Sequence, residues 1–458
     1  MTGTQDNPGR NGTDGTDGAG AQGTPAAGAA DAGKSDSFTV NRRTMLMGGI
    51  GAGAALGLAG FGAGYGTARA TADGPASDEV VPFRGEHQSG IVTPAQQQMI
   101  AVAFDMTAGR REDLRQLLED WTLAAERMQA GEPVNDPKAR DDVPPDDTGE
   151  AMGLGTGALT ITFGFGATLF EHPEDGDRFG LAAHCPQVLK DGMPRMAAEK
   201  MDESICNGDL LVQICGEDPM VVLHAMHQFK RIAFGTASVK WMQLGYGRTS
   251  STSTEQETPR NFFGFKDGTS NIKTEDTDEE LDKHLWIQPD DDAGDWAAGG
   301  SYFCFRKIQM MMEVWDELIL SEQETIIGRD KLKGAPKSGG DEFTEPDFEK
   351  TGEDGEPLID PTSHVAKVHP SHHGGARMLR RGYNYTEGLT KFGRLNAGLF
   401  FIAFVRNPAT NFIPQLKAMY DDQMTEYLQH IGKGMFIIPG GLREDDSMVG
   451  QRLFEVSE

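Results

Sequence analysis

From Leu159 to Phe165 the chain reads Leu-Thr-Ile-Thr-Phe-Gly-Phe, apolar residues alternating with small or polar ones, the period-two signature of a strand. Gly208-Asp-Leu-Leu-Val-Gln-Ile-Cys215 repeats that pattern. Around these runs the period changes to 3.6, which predicts a helix from about Glu112 to Met128 and a second from Met220 to Phe229. The second is announced by Asp218-Pro219, an N-cap acceptor followed by a residue that tolerates only the first helical turn. Further on the same order returns. Gly300–Ile308 reads as a strand, Met312 to Leu320 as a helix, Gly398–Val405 as a strand and Pro408 to Leu428 as a helical stretch. Two similar halves of mixed strands and helices predict α+β layers, with helices on one face of an antiparallel sheet. Periodicity by itself goes no further than that.

The N-terminus has no such pattern. The first forty residues are Gly, Ala, Thr and Asp with almost nothing large and apolar, too little to bury a core, and read as a disordered extension over 1–41. Arg42-Arg43 then precede an apolar, Gly/Ala-rich run from Gly48 to about Ala63. Paired arginines ahead of a mildly apolar segment predict a twin-arginine export signal over 42–72, with small-residue cleavage sites at Ala68-Arg-Ala70 and Ala70-Thr-Ala72. The competing reading is a membrane anchor, against which the glycine content and weak hydrophobicity weigh. Residues 80–255 and 256–458 are then the expected N-terminal and C-terminal domains.

Charge narrows the partners. Over 458 residues the net charge is −28, which argues against nucleic acid or an anionic membrane surface. Residues 1–72 carry five acidic and five basic side chains, so the excess belongs to the part that follows. Two acidic stretches, Thr274–Asp295 and Lys337–Asp360, interrupt the second half; the carboxylates of the first would suit a hard cation, but it lacks the regular ligand spacing of a calcium loop and reads as a solvated loop. Cys185, Cys206, Cys215 and Cys304 are too few and too scattered for a disulfide framework. They read mostly as buried thiols, with a single Cys185–Cys206 bridge as the alternative.

Three separated pieces carry chemistry. Gly264-Phe-Lys-Asp267-Gly268 offers a carboxylate, Thr362-Ser-His364-Val-Ala-Lys-Val-His-Pro370 an imidazole, and Met378-Leu-Arg380-Arg-Gly-Tyr-Asn-Tyr385 a guanidinium. A haem peroxidase needs those three side chains: a neutral imidazole on the iron, a carboxylate to shuttle a proton between peroxide oxygens, and a fixed positive charge to stabilise the departing oxygen. Alone, an Asp-Gly pair is ordinarily a turn and one of eleven histidines is ordinarily no ligand.

Together they resemble the dye-decolourising peroxidase family, whose Gly-x-x-Asp-Gly signature, proximal-histidine segment and distal-arginine segment occur in this order. The likeness runs from Pro82-Phe-Arg-Gly-Glu-His-Gln-Ser-Gly-Ile-Val-Thr-Pro94 to Phe436-Ile-Ile-Pro-Gly440 and is similar to the twin-arginine-exported branch that includes deferrochelatase-like proteins. It implies a duplicated ferredoxin-like fold, with the haem pocket mainly in the C-terminal half, and haem b (iron protoporphyrin IX) as cofactor. His364 is then the proximal metal ligand, with His369 as runner-up and His372-His373 as a flexible loop. Asp267 is the acid/base, Gly268 lets the backbone approach the porphyrin, and Arg380 is the distal cation, while Arg381 has no assigned role. Glu426 matches the carboxylate that receives the other N–H of the proximal imidazole. Asn271, Lys273 and Arg306 are candidates for the haem carboxylates, and Phe263, Phe265 and Leu399–Phe404 for walls of the ring. Tyr383, Tyr385, Trp286 and Trp315 are candidate relays to bulky substrates.

The implied activity is peroxidation: hydrogen peroxide as oxidant, dyes or other bulky reducing substrates as one-electron donors, and the twin-arginine translocase as partner during export. One rival keeps the haem but places the protein in an iron-uptake system with membrane partners, as a deferrochelatase or an oxidiser of ferrous iron. Another is a non-enzymatic haem-binding protein.

Overall fold

The computed structural model describes residues 78–135, 142–196 and 199–457; the expected N-terminal extension, export signal and cleavage sites lie outside them. Nine strands follow in chain order: β1 (Gln98–Met106), β2 (Thr160–Gly166), β3 (Leu210–Gly216), β4 (Ala237–Arg248), β5 (Ser301–Met310), β6 (Leu379–Arg380), β7 (Tyr383–Leu389), β8 (Leu395–Val405) and β9 (Leu428–Ile438).

Every pairing is antiparallel, and the hydrogen-bonded order β5-β9-β2-β3-β1-β4-β7-β8 closes on itself through β8–β5. Cut at its two narrow seams, the ring falls into β4-β1-β3-β2 and β9-β5-β8-β7. Numbered within each half, both orders are fourth-first-third-second, and each half places helices after its first and third strands. That is the ferredoxin-like order twice over, as the resemblance implies. The seams pair Phe165 with Ile437 and Tyr246 with Asn384, so each half completes the edge of the other.

Alternation along the strands divides the interior in two. Met99, Ala101 and Ala103 of β1 point into the ring with Trp241, Phe303, Phe305 and Phe400, whereas Ile100, Val102 and Phe104 pack under the helices. The predicted helices over 112–128 and 220–229 form as Arg111–Gln129 and Pro219–Ile232. Asp218 caps the latter, its side chain accepting from the amides of Met220 and Val221 with proline at the first turn.

Two helices depart from expectation. The segment Met312 to Leu320 is a single turn over Met312–Trp315, because Gln323 Nε2 takes the carbonyls of Trp315 and Leu318 and a new helix starts at Leu320. Pro408 to Leu428 breaks into short pieces at Phe412, where Pro414 has no amide to continue the ladder. The acidic stretch 274–295 is more ordered than a solvated loop, containing the helix Asp278–His284 capped by Thr277, with Asp291 paired to Arg406 at 2.8 Å. All four cysteines are buried free thiols, so the Cys185–Cys206 bridge does not form.

Candidate active site

One cavity lies against the second half, lined by residues between Asn261 and His430, and holds about 1490 Å³ free of protein atoms with its open mouth included. Asp267, His364 and Arg380 all line it. Its sheet wall is set by strand alternation: Arg306, Ile308 and Met310 from β5, Leu399 and Phe401 from β8, Leu428 and His430 from β9.

Asp267 sits in a loop pinned on both sides. Its amide donates to Pro259 O at 2.9 Å, and the neighbouring Lys266 pairs with Glu342. Arg380 Nη1 donates to Asp267 Oδ1 at 3.0 Å, leaving Oδ2 with only a long contact to Asn261 Nδ2 at 3.4 Å. Gly268 has φ +87°, and a Cβ there would stand 2.9 Å from Ser250 Cα. The glycine is required by its left-handed backbone and by the Ser250 loop behind it, and it lines the cavity.

His364 opens the helix His364–Val368, whose N-cap Ser363 accepts from the Ala366 amide. Its Nδ1 lies 2.7 Å from Asp422 Oδ2 and no described residue bonds Nε2. Burial opposes protonation of this imidazole, but the Asp422 carboxylate outweighs it and raises the pKa. Asp422 is itself immobilised, since its Oδ1 accepts from the Met424 amide as the cap of the next turn. This corrects the expectation for Glu426: the turn Gln423–Tyr427 turns that glutamate outward to an exposed position on a separate surface cleft. Asp422 carries its own sequence signal, an N-cap aspartate ahead of Gln-Met-Thr-Glu, four residues upstream of the glutamate the family resemblance implies.

The other candidates divide. Arg306 lines the cavity, pairs with Glu199 and keeps a buried Nε without a partner among the described residues. Asn271 and Lys273 do not line it. Asn271 bonds the backbone of Arg380, and Lys273 bonds Ser251, its ammonium pushed down to about 8 by burial and then by Arg380. Arg381 is fully buried and donates to Ile91 O, Thr93 O and Gln96 Oε1, which ties down the arm before β1. His369 lines the cavity with its Nε2 3.3 Å from Glu345. His372 and His373 are held by the carbonyls of Ala366 and Lys367, not loose as expected. Phe263 and Phe265 form part of the wall, with Trp315 stacked on Phe263 at 4.2 Å; Tyr383, Tyr385 and Trp286 are buried in the ring core.

His430 is a residue the sequence reading passed over, although it shares the face of Leu428 two positions earlier. It is buried in the cavity wall with neither ring nitrogen partnered among the described residues, and burial followed by Arg306 pushes its pKa down to about 4. As pH falls from the ordinary value near 6.5 towards 4, the unfolded chain takes up a proton that the folded chain refuses, so stability falls. That costs about 3 kcal/mol in full. Denaturant unfolding at pH 6.5 and 4 should show His430→Leu losing about 3 kcal/mol less than wild type; parallel losses would refute the buried neutral imidazole.

These residues fit a haem. His364, whose Nε2 no described residue bonds, lines an apolar-walled cavity, and Arg306 Nε and both ring nitrogens of His430, residues lining the same cavity, have no partner among the described residues.

Comparison with known proteins agrees. The family models for the N-terminal and C-terminal parts of Dyp-type peroxidases match residues 88–247 and 258–443. A deferrochelatase of Escherichia coli O157:H7 is 35% identical over 384 residues, covering 83% of this chain and 89% of the relative. DtpA from Streptomyces lividans, solved as an oxyferrous/water mixed complex, is 36% identical with a TM-score of 0.74, covering 82% of this chain and 97% of its own. A DyP-type peroxidase from Streptomyces coelicolor gives 37% identity and a TM-score of 0.74 over the same shares. With both halves matched in order over most of its length, the chain belongs to the Dyp-type peroxidase family.

Proposed function

We propose that the peroxidase activity of this chain depends on haem b ligated by His364 Nε2, with Asp267 as the proton-moving group and Arg380 as the distal cation. One observation carries this: His364, fixed through Nδ1 to Asp422 at 2.7 Å, faces the same cavity as the Asp267–Arg380 pair at 3.0 Å. Bound there, haem would supply the iron that activates peroxide.

The chain's own groups do the rest. Asp422 fixes the imidazole tautomer by accepting from Nδ1–H, so Nε2 is the lone-pair nitrogen, and it raises the basicity of the ring. Arg380 holds one oxygen of Asp267, and its permanent charge would stabilise negative charge developing on a departing peroxide oxygen. Asp267 Oδ2, which Arg380 leaves unbonded, takes the proton from one peroxide oxygen and returns it to the other. Phe263, Phe265, Leu399 and Phe401 keep the site apolar, which strengthens these charge interactions. Arg306 has the charge to hold a haem carboxylate. The physiological donor is a bulky one-electron reductant, and Arg42-Arg43 with the run after them support export by the twin-arginine translocase.

A second reading is favoured by the relatives named deferrochelatase: release or oxidation of iron within an uptake system. Iron release from haem, measured beside peroxide-dependent dye oxidation, separates the two.

The test is the absorption spectrum of the purified protein with its haem content. Wild type should show a Soret band and oxidise dye with peroxide, His364→Ala should lose both, and Asp422→Asn should weaken haem retention or activity about 10–100-fold. Full haem retention and activity in His364→Ala would overturn the assignment.

A further inference from the structure

Arg380 lies on a strand edge that runs out of partners. On one side β6 pairs with β8, and Arg381 N donates to Ile402 O at 2.9 Å. Successive residues of a strand direct their backbone groups to opposite edges, so the amide and carbonyl of Arg380 point away from β8. On that other side β4 has ended: its pairing with β7 stops at Arg248 opposite Tyr383, followed by Thr249 N to Gly382 O at 2.9 Å. Asn271 fills the gap. Its Oδ1 accepts from Arg380 N at 2.7 Å and its Nδ2 donates to Arg380 O at 2.8 Å, the same two bonds that a paired strand residue would exchange. A further Nδ2 bond of 3.0 Å to Ser251 O leaves the buried amide well satisfied.

Asn271 is also four residues from Asp267 on the same loop. The loop, the Asn271–Arg380 backbone pair and the Arg380–Asp267 ion pair therefore close a ring. We infer that Asn271 is a positioning residue for the distal pair, setting where the Arg380 guanidinium meets Asp267 by serving as a one-residue strand. The inference rests on the proposed roles of Asp267 and Arg380. Serine or alanine at 271 cannot make both bonds, and aspartate cannot donate to either carbonyl.

The experiment is a double-mutant cycle on the haem-loaded full chain, read by single-turnover reaction with hydrogen peroxide, together with hydrogen exchange of the wild type. N271A and N271D should each slow the peroxide step about ten- to a hundredfold by displacing the guanidinium, yet change it by less than about twofold when Arg380 is already alanine. In wild type the Arg380 amide should exchange as slowly as those of β8, and in N271A at least about tenfold faster. Equal slowing in both backgrounds would mark Asn271 as merely structural and overturn the inference. So would a wild-type Arg380 amide exchanging like an exposed loop, whether or not the variants fold. If R380A itself leaves the peroxide step unchanged, the assignment of Arg380 fails; if R380A slows it and N271A does not, only the role of Asn271 fails.

Discussion

Asp267→Asn should slow the reaction of the haem-loaded protein with hydrogen peroxide about 10²–10⁴-fold, the range a positioned general acid–base contributes. The substitution is nearly isosteric. The amide oxygen can still accept from Arg380 Nη1, whose bond to Asp267 Oδ1 is 3.0 Å, so the guanidinium keeps its place. Pro259 O still receives the amide of residue 267 at 2.9 Å, so the loop keeps its shape. What disappears is the capacity of Oδ2 to accept and release a proton. Haem content and the Soret band should therefore match wild type while the peroxide step, followed by stopped-flow absorbance under single-turnover conditions, collapses. A rate within a few-fold of wild type would remove Asp267 from proton transfer and leave it as a partner for Arg380 alone.

How much of this was readable in the sequence differs by type of information. Strands and helices with a strong period, such as β2, β3 and the helix beginning at Pro219, were legible because their alternation or capping is local. The closed ring was not. It depends on the seams Phe165–Ile437 and Tyr246–Asn384, contacts between residues far apart whose pairing no local pattern encodes. The helical stretch from Pro408 failed for the opposite reason, since its apolar period is real but Pro414 interrupts the amide ladder beneath it.

The site shows the same division. Asp267, His364 and Arg380 were legible because each lies in a short segment with a family pattern around it, and the structure gathers all three at one cavity. Their supporting shell was misread. The family resemblance points to Glu426, yet a turn of 3₁₀ geometry exposes it and sets Asp422 against the imidazole. Residue type alone suits Asn271 and Lys273 to haem carboxylates but says nothing of direction. Both spend their polar atoms on backbone around Arg380 and Ser251. Polar side chains chosen for chemistry cannot be told from those needed to satisfy buried backbone until the backbone has been traced.

Arg380→Ala should slow the same peroxide step about 10²–10³-fold, corresponding to the ~2.7–4 kcal/mol of transition-state stabilisation lost with one preorganised donor. The charge is well placed for that effect, part-buried and held on Asp267, with its backbone fixed between β8 and Asn271. Arg380→Lys should recover only part of the rate, because a lysine brings a point charge without the planar fork that reaches the carboxylate and peroxide together. The informative comparison is the double variant with Asp267→Asn. Two independent groups would multiply their losses, whereas groups 3.0 Å apart that act as one unit should give a double variant scarcely slower than the worse single one. Stopped-flow rates for the four proteins, with haem occupancy matched, decide between these outcomes. Multiplicative losses would mean that proton transfer and charge stabilisation operate separately, and the ion pair would then be a resting arrangement that opens when peroxide binds.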